Sequence, residues 1–337
     1  MHKHKNYLIT GGCGFIGRNL IRHLTKREGI NIRIVDNYTI GTPDDIARFC
    51  EYTERSAEEF DAFPVDGTVE VIKGDIRDAD LAIKACTGAD VIIHLAANAG
   101  VPNSVANPRF DMEHNVVGIF NYLEGAREND VKSFIFASSA APVGETTPPV
   151  HEELCPHPVS PYGASKLAGE GYCSAYARTF GIQTVALRFG NVYGIGSGHK
   201  SSVVAKFIRQ ASNGETLEIY GDGTQTRDYI FIDDLIEAIL LSTEVENIGG
   251  EVFQIATASE TTLNELVDHM LPLLAEAGIQ DVNVIHGEKR LGDIQRNFSD
   301  TSKAKDRLGW HAKTGLKDGL KVTIKDVLNS LKQSKAA

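Results

Sequence analysis

No apolar run in the 337-residue chain approaches the roughly 20 residues that cross a bilayer. The opening Met1-His2-Lys3-His4-Lys5-Asn6 leads straight into a strand-like segment, with no apolar leader or cleavage site. Cysteine is scarce. The five residues, at 13, 50, 86, 155 and 173, are odd in number and match neither a metal site nor a disulfide framework. They read as small buried hydrophobes in a reducing compartment, so a cytoplasmic location is expected. Basic residues are in the minority, 34 Lys+Arg against 45 Asp+Glu, for a net charge of −11. That balance argues against a nucleic-acid binder, whose affinity comes mostly from neutralised phosphates. It leaves room for a phosphorylated small molecule, for which a few local cations suffice. Repeats and low-complexity tracts are absent, and 42% hydrophobic with 23% charged residues is too apolar for a disordered chain. At roughly 150 residues per domain the length suggests about two domains, with a core that needs no disulfide or metal.

The first half alternates between two periods. Short β-rich runs at 7–10, 31–36, 69–74, 90–97, 133–138 and 184–189 are nearly continuous in apolar residues, as in strands covered on both faces. Helical patterns lie between several of them, at 15–27, 79–86, 108–129 and 161–180. The alternation predicts an α/β fold with a doubly wound parallel sheet. After residue 190 the rhythm changes. Polar, Gly-rich loops at 194–200 and 220–228 precede helical patterns at 202–213, 233–242, 263–277, 301–308 and 316–331. The expected organisation is a dinucleotide-binding domain over 1–190, rejoined by a return segment at 229–257. A smaller mixed domain would then be formed by 191–228 and 258–337.

The run Gly11-Gly12-Cys13-Gly14-Phe15-Ile16-Gly17 follows the first strand and opens a helix. Gly11, Gly14 and Gly17 answer three demands: a tight turn, backbone approach to a diphosphate, and close helix–strand packing. The diphosphate would meet the N–H groups of Phe15 and Ile16 and the positive end of the helix dipole. Asp36, with Asn37 beside it, ends the second strand 19 residues after Gly17. Its carboxylate suits two ribose hydroxyls and would repel a 2′-phosphate, so NAD is expected rather than NADP. Asp75-Ile76 closes the third strand, where a carboxylate can accept from the adenine amine. Small residues at Leu95-Ala96-Ala97 let backbone pass beside the cofactor. His94 reads as a packed strand histidine and Asn115 as a positioning residue inside the long helix.

Tyr162 and Lys166 stand one helical turn apart on one face. A tyrosine of ordinary pKa, near 10, is a poor base at neutral pH. A neighbouring ammonium and the positive nicotinamide ring of oxidised NAD both favour the phenolate. Lys166 can also donate to the nicotinamide ribose. The preceding strand ends in Ser138-Ser139, and a hydroxyl there can bind the same substrate oxygen as the tyrosine and orient its proton.

With these residues in place, the chain resembles the extended short-chain dehydrogenases/reductases, and within them the nucleotide-sugar epimerases and dehydratases. The resemblance covers nearly the whole chain. It includes Arg188-Phe189-Gly190-Asn191-Val192-Tyr193-Gly194, Tyr220-Gly221-Asp222-Gly223-Thr224-Gln225-Thr226-Arg227-Asp228-Tyr229 and Arg290-Leu291-Gly292-Asp293. It implies a Rossmann sheet and a second domain that holds a nucleoside diphosphate. Asn191, Arg227 and Arg290 would contact that diphosphate, the guanidinium groups through paired charge-assisted bonds. It also implies a homodimer built from the helices at 108–129 and 161–180.

The residues after Ser139 narrow the chemistry. The family's 4,6-dehydratases carry Asp and Glu there, and its uronate decarboxylases carry Glu at the second position. This chain has Ala140 and Ala141. Alanine has no proton to give or take, which leaves 4-epimerisation of a nucleotide sugar through a 4-keto intermediate, with no metal; that the sugar is carried on UDP is what the resemblance to the commonest relatives implies. A 4-keto-sugar reductase and a dehydratase are the rivals. Pro142-Val143-Gly144 replaces the Val-Tyr-Gly of many relatives and alters the sugar pocket. Asn297 is intermediate between the bulky residue that goes with plain hexoses and the small one that admits a 2-acetamido group. For a uronate, His199 and Lys200 are the available cations.

Overall fold

The computed structural model describes residues 5–65, 67–289 and 294–336. The strands in chain order are β1 (Asn6–Thr10), β2 (Asn31–Asp36), β3 (Thr53–Arg55), β4 (Val69–Lys73), β5 (Val91–His94), β6 (Ser133–Ser139) and β7 (Gln183–Phe189). These are followed by β8 (Asn191–Tyr193), β9 (Leu217–Tyr220), β10 (Thr226–Arg227), β11 (Tyr229–Phe231), β12 (Glu251–Ile255), β13 (Thr261–Thr262) and β14 (Val284–Gly287). The helices are α1 (Phe15–Leu24), α2 (Asp44–Ala47), α3 (Ala79–Cys86), α4 (Val101–Ala106), α5 (Pro108–Met112) and α6 (Gly118–Glu128). After them come α7 (Pro161–Phe180), α8 (Val203–Ser212), α9 (Ile232–Glu244), α10 (Leu263–Glu276), α11 (Ser302–Leu308) and α12 (Leu316–Ala336).

Eight strands form one sheet in the order β12-β7-β6-β5-β1-β2-β4-β3. Every pairing in it is parallel. This is the doubly wound Rossmann sheet the alternation predicts. Inner strands such as β1 and β5 are buried along almost their whole length, which is why their sequences run apolar without alternation. One core cluster fills the face covered by α1 and α9, and a second fills the face covered by α3, α6 and α7. The chain starts in the middle, winds outward to β3 and β4, and then returns to β5 on the other side of β1. Strand order reverses between β1 and β5, and ligands of such sheets bind at that crevice.

Beyond β7 three small sheets pair β8 with β11, β9 with β14 and β10 with β13. Helices α8, α10 and α12 pack together beside them. A capping box fixes the start of α10: Thr262 Oγ1 accepts from Glu265 N, and the Glu265 carboxylate accepts from Thr262 N.

The structure corrects the expectation of a single helix over 108–129. That stretch is α5, a five-residue π-helical turn at Glu113–Val117, and α6. The apolar period does not reveal the break because the residues that cause it are polar. The wider turn aims Asn115 at the backbone of Asn98, with Oδ1 accepting from Asn98 N at 2.8 Å and Nδ2 donating to Asn98 O at 3.0 Å. The exposed β3 and the short α4 also carry no periodic signal.

Candidate active site

The glycine turn sits at the crevice between β1 and β5. Gly11 has φ +70°, and a Cβ there would lie 2.7 Å from Ala96 N. A Cβ on Gly17 would lie 2.5 Å from Gly11 O and 2.5 Å from Gly12 Cα. The turn therefore packs backbone on backbone, against Leu95 and Ala96 on one side and the opening of α1 on the other. Gly14 is the N-cap of α1, and no side chain caps that helix. The first-turn N–H groups, among them those of Phe15 and Ile16, have no acceptor within the helix. A cradle that any side chain would fill, ending in uncapped N–H groups, fits a diphosphate.

Asp36 is buried at the end of β2. Its Oδ2 accepts from Cys13 N and its Oδ1 from Tyr38 N, both at 2.9 Å. Burial pushes its pKa up, against these two hydrogen bonds. Each oxygen keeps acceptor capacity for a hydroxyl. Asn37 turns to its own loop, where Oδ1 accepts from Thr39 N at 3.1 Å. Asp75 is gripped by Arg77, with Nη2 at 2.7 Å and Nε at 3.0 Å, and that pairing holds its carboxyl below the usual range. Ile76 is buried, and its carbonyl accepts from Asn121 Nδ2 at 3.0 Å.

His94 is a packed strand residue. Its ring stacks on Phe134 at 6.0 Å between centroids, and Nδ1 lies 3.0 Å from Thr10 Oγ1. The Thr10 oxygen also accepts from Ala96 N at 3.3 Å. Burial, aided by the Lys166 charge, pushes the His94 pKa down to about 3. In the unfolded chain it returns to about 6.5. The unfolded state thus binds a proton that the folded state refuses between those values. His94 contributes stability that is present above pH ~6.5 and is lost as pH falls toward 3, at up to ~1.4 kcal/mol per pH unit. The urea midpoint should therefore drop more from pH 7 to pH 5 in the wild type than in His94→Gln. Equal drops would assign the acid sensitivity to other groups.

Asn115 holds the loop after β5. Besides Asn98, its Nδ2 donates to Asp111 Oδ1 at 2.9 Å and to Ser165 Oγ at 3.2 Å. It thus ties that loop to α7.

The start of α7 is set by Ser160, whose Oγ accepts from Gly163 N at 3.1 Å, with Pro161 at the first helical position. This places Tyr162 on the wall of the cleft, close to Ser139 at the end of β6. The Ser139 oxygen accepts from Ala141 N at 3.2 Å. One turn on, Lys166 is buried, and its Nζ donates to Ala137 O at 2.8 Å and stands 5.8 Å from the Tyr162 ring centroid. Burial pulls the Lys166 pKa down to about 8. Burial raises the Tyr162 phenol, the nearby Asp111 charge adds to the rise, and the Ser139 hydrogen bond opposes it. The direction is opposite to the one expected from spacing alone. The helical turn that brings Lys166 near also directs its ammonium to a main-chain carbonyl.

Beneath Lys166 lies a buried ion pair. Arg188 donates to Glu170 through Nε at 2.8 Å and Nη2 at 2.7 Å, and Ser138 Oγ donates to Glu170 Oε1 at 2.6 Å. The pair ties α7 to β6 and β7.

A cleft of about 570 Å³ brings Tyr162 together with Asn191, Arg227 and Tyr220. Arg227 is oriented through Nη1, which donates to Thr226 O and Ile294 O, both at 2.7 Å. Asn297 lies beside the same strand, its N–H donating to Thr226 Oγ1 at 3.2 Å. Arg290 lies outside the described residues. Sequence reasoning missed one wall of this cleft, Ser201 to Val204 at the start of α8. Ser202 is the N-cap of α8 yet makes no capping bond, and its Oγ is buried without a hydrogen-bond partner. The polar triplet Lys200-Ser201-Ser202 before an amphipathic helix was the available signal.

A parallel sheet with a glycine turn at its crevice, a serine at the end of β6 and a Tyr–Lys pair on α7 defines a dinucleotide-dependent short-chain dehydrogenase/reductase fold. The NAD dependent epimerase/dehydratase family model matches residues 7–256, and the chain belongs to that family, with NAD as its cofactor. It is 34% identical over 322 residues to a UDP-glucose 4-epimerase of Mycolicibacterium smegmatis, covering 94% of this chain and 96% of that protein. The UDP-glucose 4-epimerase of Thermotoga maritima, solved with UDP-glucose, superposes with a TM-score of 0.85 at 32% identity, covering 97% of this chain and 99% of that one. A UDP-N-acetylglucosamine 4-epimerase of Methanobrevibacter ruminantium, solved with UDP-N-acetylmuramic acid, also superposes at 0.85, with 30% identity over 98% of this chain and 100% of that one. Among the described residues no helix is long and apolar enough to cross a membrane, and no acidic, His or Cys cluster could hold a metal ion.

Proposed function

We propose that the protein interconverts UDP-sugars that differ in configuration at C4, through a transient 4-keto sugar. The observation that carries this reading is the Tyr162–Ser139 pair in a cleft where the next two residues are Ala140 and Ala141. One acid–base group serves C4, and Ala140 and Ala141 offer no proton for C5 or C6. NAD, held by the glycine turn and Asp36, supplies a hydride acceptor and donor at C4. Tyr162 takes the proton of the C4 hydroxyl and later returns it. Ser139 shares that oxygen and orients its proton. Lys166 is pinned by Ala137 O and adds positive charge on the same side. Since burial raises the phenol, the positive pyridinium would add to Ser139 in lowering it.

Asn191, Arg227 and the uncapped start of α8 hold the diphosphate, and Arg290 is assigned to the same role. A firm hold there with few contacts to the sugar lets the ketone present either face. Plain hexoses, N-acetylhexosamines and uronates are the substrate classes to compare, with Asn297 beside the sugar. Cytoplasmic location and a homodimer complete the proposal. Phe110, Val117, Phe120 and Tyr172 are exposed along α5 to α7, where a second copy would cover them.

The test is incubation of the purified protein with UDP-glucose, UDP-N-acetylglucosamine and UDP-glucuronate without added cofactor. C4 epimers should accumulate to equilibrium. Turnover that requires added NAD(P)H and consumes it stoichiometrically would instead establish a reductase, and a 4-keto-6-deoxy product a dehydratase.

A further inference from the structure

Lys200 carries a charge that the described residues do not balance. Its Nζ donates to Val192 O at 3.2 Å and stands 4.4 Å from the centroid of the Phe15 ring. No carboxylate pairs with it among the described residues, and burial alone pulls its pKa down to about 8. Lys166, by contrast, is supported by the charges of Asp111 and Glu170. A half-buried ammonium without a counter-charge is costly unless an anion is brought to it.

The segment that carries Lys200 is fastened to the cofactor helix. Asn19 Nδ2 donates to Ile195 O at 2.9 Å, and Arg18 Nη2 donates to Gly196 O at 2.5 Å. Arg209 Nη1 donates to Lys200 O at 2.8 Å from α8. Lys200 is thus held in register with Phe15, the first residue of α1, although it belongs to the loop that lines the substrate cleft. The glycine turn itself has no basic residue between Gly11 and Gly17. Arg18, the next residue, is committed to Asp45 at 2.8 Å and to Gly196. Backbone N–H groups alone would meet the two charges of a dinucleotide diphosphate there. The substrate diphosphate, by comparison, has Arg227 and the start of α8.

We propose that Lys200 reaches from the substrate-side loop to the diphosphate of bound NAD and clamps the cofactor in place. The inference rests on the reading that the glycine turn holds NAD. An enzyme that regenerates its cofactor in every cycle gains from slow release. This lysine would tie that release to the loop that also borders the substrate.

The test compares wild type, Lys200→Met, which keeps the apolar stem, and Lys200→Arg, which keeps the charge. Bound NAD is quantified after purification. Its dissociation is timed by transfer to an excess of a second NAD-binding dehydrogenase, and UDP affinity is measured by calorimetry. Loss of one charge-assisted contact should speed NAD release on the order of 10–100-fold in Lys200→Met. Lys200→Arg should stay within a few-fold of wild type, and UDP affinity should be unchanged in both. Unchanged NAD release with weakened UDP binding would overturn the proposal and give the lysine to the substrate. Loss of both ligands without rescue by arginine would overturn it as a folding effect. Wild-type protein that binds no NAD would overturn the assignment of the glycine turn as well.

Discussion

Tyr162→Phe should lower turnover on the order of 10²–10⁴-fold while leaving bound NAD and UDP affinity at wild-type values. The size follows from the loss of a positioned acid–base group. The selectivity follows from the geometry. The phenol stands on the cleft wall near Ser139, whereas the glycine turn, Asp36 and Arg227 make their bonds elsewhere. Removing one oxygen leaves the ring to pack as before. Because burial raises this phenol, wild-type turnover should also increase from neutral toward mildly alkaline pH, as more of it becomes phenolate. The variant should lose that limb of the profile. Progress curves with a UDP-sugar, alongside spectrophotometric NAD content, read both effects. Retention of more than about a tenth of the activity would move the base to another residue.

The second large effect is expected at the buried pair under the catalytic helix. Arg188 and Glu170 are 3% and 5% exposed, so removing one partner strands the other charge. Arg188→Met should cost about 3–5 kcal/mol of stability, read as a lower urea midpoint at unchanged slope. The double variant Arg188→Met, Glu170→Leu should recover much of that loss, because two apolar side chains leave no unpaired charge. Glu170 sits one turn beyond Lys166 and accepts from Ser138 next to Ser139. The double variant should therefore regain stability more fully than activity. If the single and double variants are equally unstable, the cost lies in packing rather than in the charge.

The sequence made the local parts of the site readable. Glycine spacing, an acid at the end of the second strand, and a Tyr and Lys four residues apart are each encoded within one turn or one strand. The sheet follows from alternation of period, which does not depend on the final packing. The rest depends on residues far apart in the chain. Asn115 finds Asn98 only because a π-helical turn rotates it there, and apolar periodicity is blind to a polar cause. The Arg188–Glu170 pair joins a strand to a helix, and neither residue type announces burial. Lys200 entered the sequence reading only as a cation for a sugar carboxylate, and its place against Phe15 depends on how Arg18 and Asn19 hold the loop. The burial that raises the phenol in the protein alone was illegible for a related reason. Spacing gives the distance between two side chains on a helix, but not the carbonyl that competes for the ammonium.

The β12 strand comes from residues 251–255, yet it completes a sheet whose neighbouring strand β7 ends at Phe189. A nascent chain emerging from the ribosome therefore presents β7 with one hydrogen-bonding edge open until Glu251 has been made. At about 5–20 residues per second that interval lasts several seconds. During it the strand is a ready partner for other chains. Truncations that end before Glu251 should consequently be recovered as aggregates, while the intact chain seals the edge with its own later strand.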